Sequence, residues 1–149
     1  MPQSDARRRR RMLVVDDEQG IVDVLKEHFE ARYDVDIALN GTQAIKLVRA
    51  KRPDVILLDL RMPGLAGVDV LKAVHKVEPK LPVFIITANE DIDVAAEAIA
   101  QGAFSYVPKP FDFEYLDHLV AVALGGPAAT SHPSPRGPRK RRPRRDAGR

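Results

Sequence analysis

The sequence predicts an α/β fold, a doubly wound five-stranded parallel sheet with five helices distributed over both faces. Three observations predict it. Short apolar runs alternate five times with segments of helical spacing, the most continuous runs suit strands buried on both faces, and proline and glycine fall at the junctions.

The elements follow in order. Residues 13–15 form the first apolar run, and Ile21, Leu25 and Phe29 make the first helical stripe. Residues 35–38 come next; Val35-Asp36-Ile37 alternates as an edge strand does, and Ala44, Ile45 and Val48 give the second stripe. Pro53 precedes the third run, residues 55–58, and a third stripe of Val70, Leu71, Val74 and Val77 ends before Pro79. Pro82 precedes the fourth run, residues 83–86, and Ile92, Ala95, Ala96 and Ile99 make a stripe that Gly102 ends. The fifth run, residues 104–107, leads into Pro108, which cannot donate to a ladder and so marks the other edge. Phe113, Leu116, Leu119, Val120 and Ala123 close the pattern.

Charge divides the chain of 149 residues into three segments. Residues 1–11 hold five Arg and one Asp, a net of +4, and read as a disordered basic arm. Residues 12–124 hold 11 basic and 19 acidic residues, a net of −8, and form the folded domain. Residues 125–149 hold eight basic residues and one Asp, a net of +7. Five of the twelve prolines and four of the nine glycines lie in this tail, too little apolar material to offset chain entropy, so it reads as disordered. The formal charge of +3 averages over these parts. The absence of cysteine excludes disulfides and thiol chemistry. No apolar run approaches the roughly 18 residues of a membrane span, and residues 12–15 are too short for a signal-peptide core, so a soluble, cytoplasmic protein is expected.

In an open parallel sheet, ligands bind beyond the carboxyl ends of the strands. Asp16 and Asp17 end the first strand, Asp59 the third and Thr87 the fourth, and the fifth leads into Lys109-Pro110. Three neighbouring carboxylates repel unless a cation neutralises them, and a hard divalent ion takes oxygen ligands. A carboxylate can itself attack phosphorus, with a metal, a lysine and a hydroxyl stabilising the transferred group. Taken singly, Asp17 fits an N-cap, Thr87 with Glu90 fits a capping box, and the Met62-Pro63-Gly64 segment after Asp59 fits a turn. The Asp16-Asp17-Glu18 loop offers acceptors, not the donors of a flavin phosphate site, and the Asp-x-Asp of haloacid-dehalogenase-type phosphatases is missing.

The segments Val14-Val15-Asp16-Asp17-Glu18, Leu57-Leu58-Asp59-Leu60-Arg61-Met62-Pro63-Gly64, Ile86-Thr87-Ala88 and Tyr106-Val107-Pro108-Lys109-Pro110-Phe111 give the chain a resemblance to the receiver domain of two-component response regulators. The resemblance covers residues 12–124 and implies a flavodoxin-like strand order 2-1-3-4-5. It implies Asp59 as phosphoacceptor and Mg²⁺ (or Mn²⁺) held by Asp16, Asp17, Asp59 and the backbone carbonyl of Arg61. It further implies Thr87 and Lys109 as phosphoryl-stabilising groups, Thr87 and Tyr106 as the switch, and a cis bond before Pro110. The implied donor is a histidine kinase or phosphotransfer protein, and the implied output is a protein effector, or homodimerisation, at the surface of helix four, strand five and helix five. No enzymatic activity beyond self-phosphorylation and self-dephosphorylation is implied.

Residues 87–111, with Asp91-Ile92 and Gly102-Ala103-Phe104, are similar to receivers of the nitrogen-regulation type. Those precede ATPase and DNA-binding domains, for which nothing after residue 124 provides, so a stand-alone receiver is expected. The alternative is a phosphorylation-independent interaction module. Residues 136–145, with seven basic residues in ten, would tether it to nucleic acid. His28, His75 and His118 receive no role.

Overall fold

A computed structural model of the chain describes residues 9–62, 64, 67–88 and 92–125. Ten elements alternate along it: β1 (Arg11–Val15), α1 (Gln19–Phe29), β2 (Asp34–Ala38), α2 (Gly41–Lys51), β3 (Val55–Leu58), α3 (Gly67–Val77), β4 (Val83–Ala88), α4 (Ile92–Ala100), β5 (Ser105–Lys109) and α5 (Phe113–Ala123). The strands form one parallel sheet in the order β2-β1-β3-β4-β5. Both predicted edges hold. All four residues of β3 are buried, whereas β2 and β5 are mostly half-buried, and Pro108 sits in the edge strand opposite Thr87.

Side-chain alternation along the strands builds two cores. Leu13, Val15, Ile56, Leu58, Val83 and Ile85 face α2, α3 and α4, while Met12, Val14, Leu57, Phe84 and Val107 face α1 and α5. Full burial of side chains such as Phe29 and Phe84 contributes ~1.5–3 kcal/mol each.

Local chemistry sets the helix ends. Asn40 Oδ1 accepts the Gln43 amide at 2.8 Å while Gln43 Oε1 accepts the Leu39 amide at 2.8 Å, a reciprocal cap on α2. Asp112 Oδ1 accepts the Glu114 amide at 2.9 Å and opens α5. Gly102, with φ 115°, ends α4 as expected, its neighbour Ala103 donating back to Ala98 O at 3.0 Å. Arg52 ends α2 in the left-handed region at φ 52°, an unusual post for a residue with a Cβ.

Three expectations change. Arg11, expected in the basic arm, opens β1, and its amide donates to Asp54 Oδ2 at 2.8 Å. Arg9, expected in a disordered arm, donates to Glu30 O and to Tyr33 O (2.7 Å) and pairs with Asp34 at 3.3 Å. Carbonyls at the end of α1 carry partial negative charge, which is why a guanidinium settles there. In α4 it is Ala95 and Ala98 that are buried, while Ala96 and Ile99 face outward. Phe104 precedes β5 instead of opening it and is 47% exposed, its ring tilted against Phe84 at 5.1 Å. Residues 1–8 of the arm, the tail from 126, Pro63 of the turn and Glu90 of the capping box lie outside the described residues.

Candidate functional site

The parallel register brings the chemical residues to one rim. Val15 pairs with Leu58, Leu58 with Ile85, and Ala88 with Lys109, so the residues that follow β1 and β3 meet the ends of β4 and β5. Two backbone bonds extend the ladder past the strands: the Asp16 amide donates to Ala38 O at 3.1 Å, and the Asp59 amide to Val15 O at 2.9 Å. These bonds hold both aspartates at the lip of the sheet rather than out in solvent. Asp16, Asp59 and Thr87 are the buried polar or charged residues among those described. Asp17 is exposed beside them.

Carboxylate oxygens of Asp16, Asp17 and Asp59 lie within 4.8 Å of one another. Lys109 Nζ donates to Asp16 Oδ2 at 3.2 Å and stands 3.8 Å from Asp59 Oδ1. The Lys109–Pro110 bond is cis. Tyr106, opposite Ile85, packs its ring against the core under α2, α3 and α4, and its hydroxyl is buried without a hydrogen-bond partner among the described residues.

One neighbour was not singled out by the sequence. Glu18 Oε1 lies 3.9 Å from Lys109 Nζ, and the Glu18 amide donates to Asp16 Oδ1 at 3.0 Å. Its place directly after Asp16-Asp17 was the available signal. His28 also has partners: Nε2 lies 2.7 Å from Asp117 Oδ1, and its ring stacks on Phe113 at 4.2 Å, clasping α1 to α5. Arg32 reaches the same carboxylate at 3.2 Å.

The electrostatics are those of a cluster short of positive charge. Burial, and then the neighbouring Asp16 carboxylate, push Asp59 up to about 6, against the pull of Lys109 and the Arg61 amide. Burial likewise raises Asp16, although the Glu18 amide and Lys109 oppose it. Burial works against the Lys109 ammonium, but Asp59 and Asp16 outweigh it and raise its pKa. One ammonium does not balance three carboxylates. An oxygen-only donor set with spare negative charge fits a hard divalent cation such as Mg²⁺.

Comparison with known proteins gives consistent results. A family model described as the response regulator receiver domain matches residues 12–121. The DNA-binding transcriptional regulator NtrC of Escherichia coli K12 is 39% identical over 118 residues, covering 72% of this chain and 25% of that protein. Sporulation initiation phosphotransferase F of Bacillus subtilis is 37% identical over 115 residues, covering 76% of this chain and 93% of that protein. The chain thus spans about a quarter of the first relative and nearly all of the second. Among solved structures, a response regulator receiver domain protein from Clostridium thermocellum superposes with a TM-score of 0.75 at 31% identity, over 78% of this chain and 94% of that one. The receiver domain of NtrX from Brucella abortus gives 0.73 at 30% identity, over 76% of this chain and 98% of that one.

Proposed function

The chain belongs to the response regulator receiver domain family of two-component signalling, and from that membership we propose that it accepts a phosphoryl group on Asp59. The donor is the phosphohistidine of a histidine kinase or phosphotransfer protein. An Asp59 carboxylate oxygen attacks phosphorus, the P–N bond breaks, and its electron pair stays with the imidazole nitrogen, leaving an aspartyl phosphate. The observation that carries this reading is the close approach of three carboxylates, with Lys109 Nζ 3.8 Å from Asp59.

Asp16, Asp17 through water, Asp59 and the Arg61 carbonyl would hold Mg²⁺ or Mn²⁺. When bound, the ion neutralises charge on the transferring group. Lys109 supplies fixed positive charge to the phosphoryl oxygens, and the Thr87 hydroxyl donates to one of them. Movement of Thr87 and Tyr106 then alters the face formed by α4, β5 and α5. The exposed apolar residues Val94, Ile99, Phe104 and Tyr115 lie on or beside these elements and support a protein effector there. The same apolar content supports homodimerisation of the phosphorylated form on this face.

The likeness to the Bacillus phosphotransferase over 93% of that protein supports action as a single receiver, its folded unit being residues 12–124 as first expected with Arg11 added at the strand. Incubation with a small phosphodonor and Mg²⁺ is expected to add the mass of one phosphoryl group, and Asp59→Asn to abolish the gain. No gain in the wild type would leave the phosphorylation-independent module as the reading.

A further inference from the structure

Glu18 is an unusual residue for the post it holds. It is the N-cap of α1, a position that favours a short side chain such as Ser, Thr, Asp or Asn. Its carbonyl accepts the Ile21 amide at 3.0 Å and the Val22 amide at 3.2 Å, but its carboxylate accepts nothing from the helix. No acidic residue lies in the first turn of α1 either. The negative charge that would suit this helix end is turned elsewhere.

Asp16 directs it. One oxygen of Asp16 accepts the Glu18 amide at 3.0 Å, and the other accepts Lys109 Nζ at 3.2 Å. The same aspartate thereby fixes the backbone of Glu18 and the ammonium of Lys109 side by side. Glu18 Oε1 stands 3.9 Å from Lys109 Nζ, nearly matching the 3.8 Å of Asp59 Oδ1. The contact sits at the mouth of the rim, with the Glu18 side chain 66% exposed.

Three carboxylates therefore share one ammonium, and their duties differ. Asp16 and Asp59 belong with Asp17 to the group whose oxygens lie close enough to hold one cation, and Glu18 stands outside that group. Once Asp16 and Asp59 turn to a cation, Glu18 is the carboxylate left to Lys109. A phosphoryl group on Asp59 would bring further negative oxygens to the same ammonium. Lys109 carries a single charge and cannot serve both sides at full strength.

On the reading that Asp59 is the phosphoacceptor, we infer that Glu18 is a positioning residue that competes with the phosphoryl oxygens for Lys109. The site consequently holds its phosphoryl group less tightly than Lys109 would if Glu18 were uncharged. An aspartyl phosphate held in this way lies higher in free energy, and its exchange with a donor is easier to reverse. A glutamate that only solvated the helix end would gain by facing the free amides of α1; this one faces Lys109 instead. The contact is partly exposed, so the effect is modest, ~1.5–5-fold in a binding constant.

The test is a calorimetric titration of the full chain with beryllofluoride, an anionic mimic of the phosphoryl group, in saturating Mg²⁺. Glu18→Gln keeps the shape and removes the charge, and should bind the mimic ~1.5–5-fold more tightly than the wild type. Glu18→Asp keeps the charge but is one methylene too short for Lys109, and it can cap α1. It should bind as tightly as Glu18→Gln and, without metal, melt at a higher temperature than the wild type. Equal or weaker binding by Glu18→Gln, beside a wild type that binds, overturns the inference and leaves Asp59 as phosphoacceptor untouched. Wild-type affinity in Glu18→Asp also overturns it, since the charge would then act at the mouth and not through Lys109. So does a Glu18→Asp midpoint at or below that of the wild type, because Glu18 would then be serving the helix. A wild type that takes up no beryllofluoride removes Asp59 as phosphoacceptor, and the role of Glu18 with it.

Discussion

Asp59 is held where its own ionisation opposes folding. Its folded-state pKa of about 6 lies above the ordinary 3.8, so the penalty is fully present above about pH 6 and fades as the pH falls towards 3.8. The difference corresponds to at most ~3 kcal/mol. With metal chelated, Asp59→Asn is therefore expected to be more stable than the wild type near neutral pH by ~1–3 kcal/mol, the gap closing near pH 4. Urea unfolding across that range checks it, and equal midpoints at neutral pH would mean the carboxylate is not strained. Adding Mg²⁺ should narrow the gap, because an ion bound to the native state alone stabilises it. Tyr106 poses a second residue-scale case. A buried hydroxyl without a partner costs ~1–3 kcal/mol, so Tyr106→Phe should raise stability by ~1 kcal/mol, read from the same denaturant titration.

At the scale of elements, the most demanding contact is the start of α3. A Cβ on Gly67 would stand 2.6 Å from Leu60 Cα and 2.7 Å from Leu60 Cδ2, so Gly67→Ala must displace backbone beside Asp59. It is expected to destabilise by ~1–3 kcal/mol and to slow phosphoryl uptake, seen by thermal unfolding and mass spectrometry. Asn40→Ala removes only a cap and should cost about 1 kcal/mol without affecting uptake. The strands, helices and both sheet edges were legible in the sequence because periodicity and punctuation report them directly. Asp16, Asp59, Thr87 and Lys109 were legible as a group because each sits where a strand ends, and the parallel register does the rest. The stripe on α4 was not: Ile99 has the spacing of a core residue but lies 41% exposed, and Ala98 takes the core position. Periodicity finds apolar faces without saying whether a sheet or another molecule covers them. Glu18 near Lys109 and the stranded Tyr106 hydroxyl were also hidden, since they depend on the approach of side chains distant in sequence.

At the scale of the molecule, the carboxylate rim lies at the carboxyl end of the sheet, while Arg10 and Leu124 meet at its amino end, where β1 begins and α5 finishes. The Arg10 contact with Leu124 has a mechanical consequence as well. β1 is held by hydrogen bonds to strands on both sides, whereas α5 rests on the sheet by side-chain packing. Tension applied across the two ends would load both elements equally, and α5 would yield first, peeling its 11 residues from the sheet before β1 gives way. An optical trap should record a first low-force step of ~40 Å, the length of that segment when extended. A molecule anchored by both ends would thus loosen one face of its signalling surface under load while the carboxylate rim stayed whole.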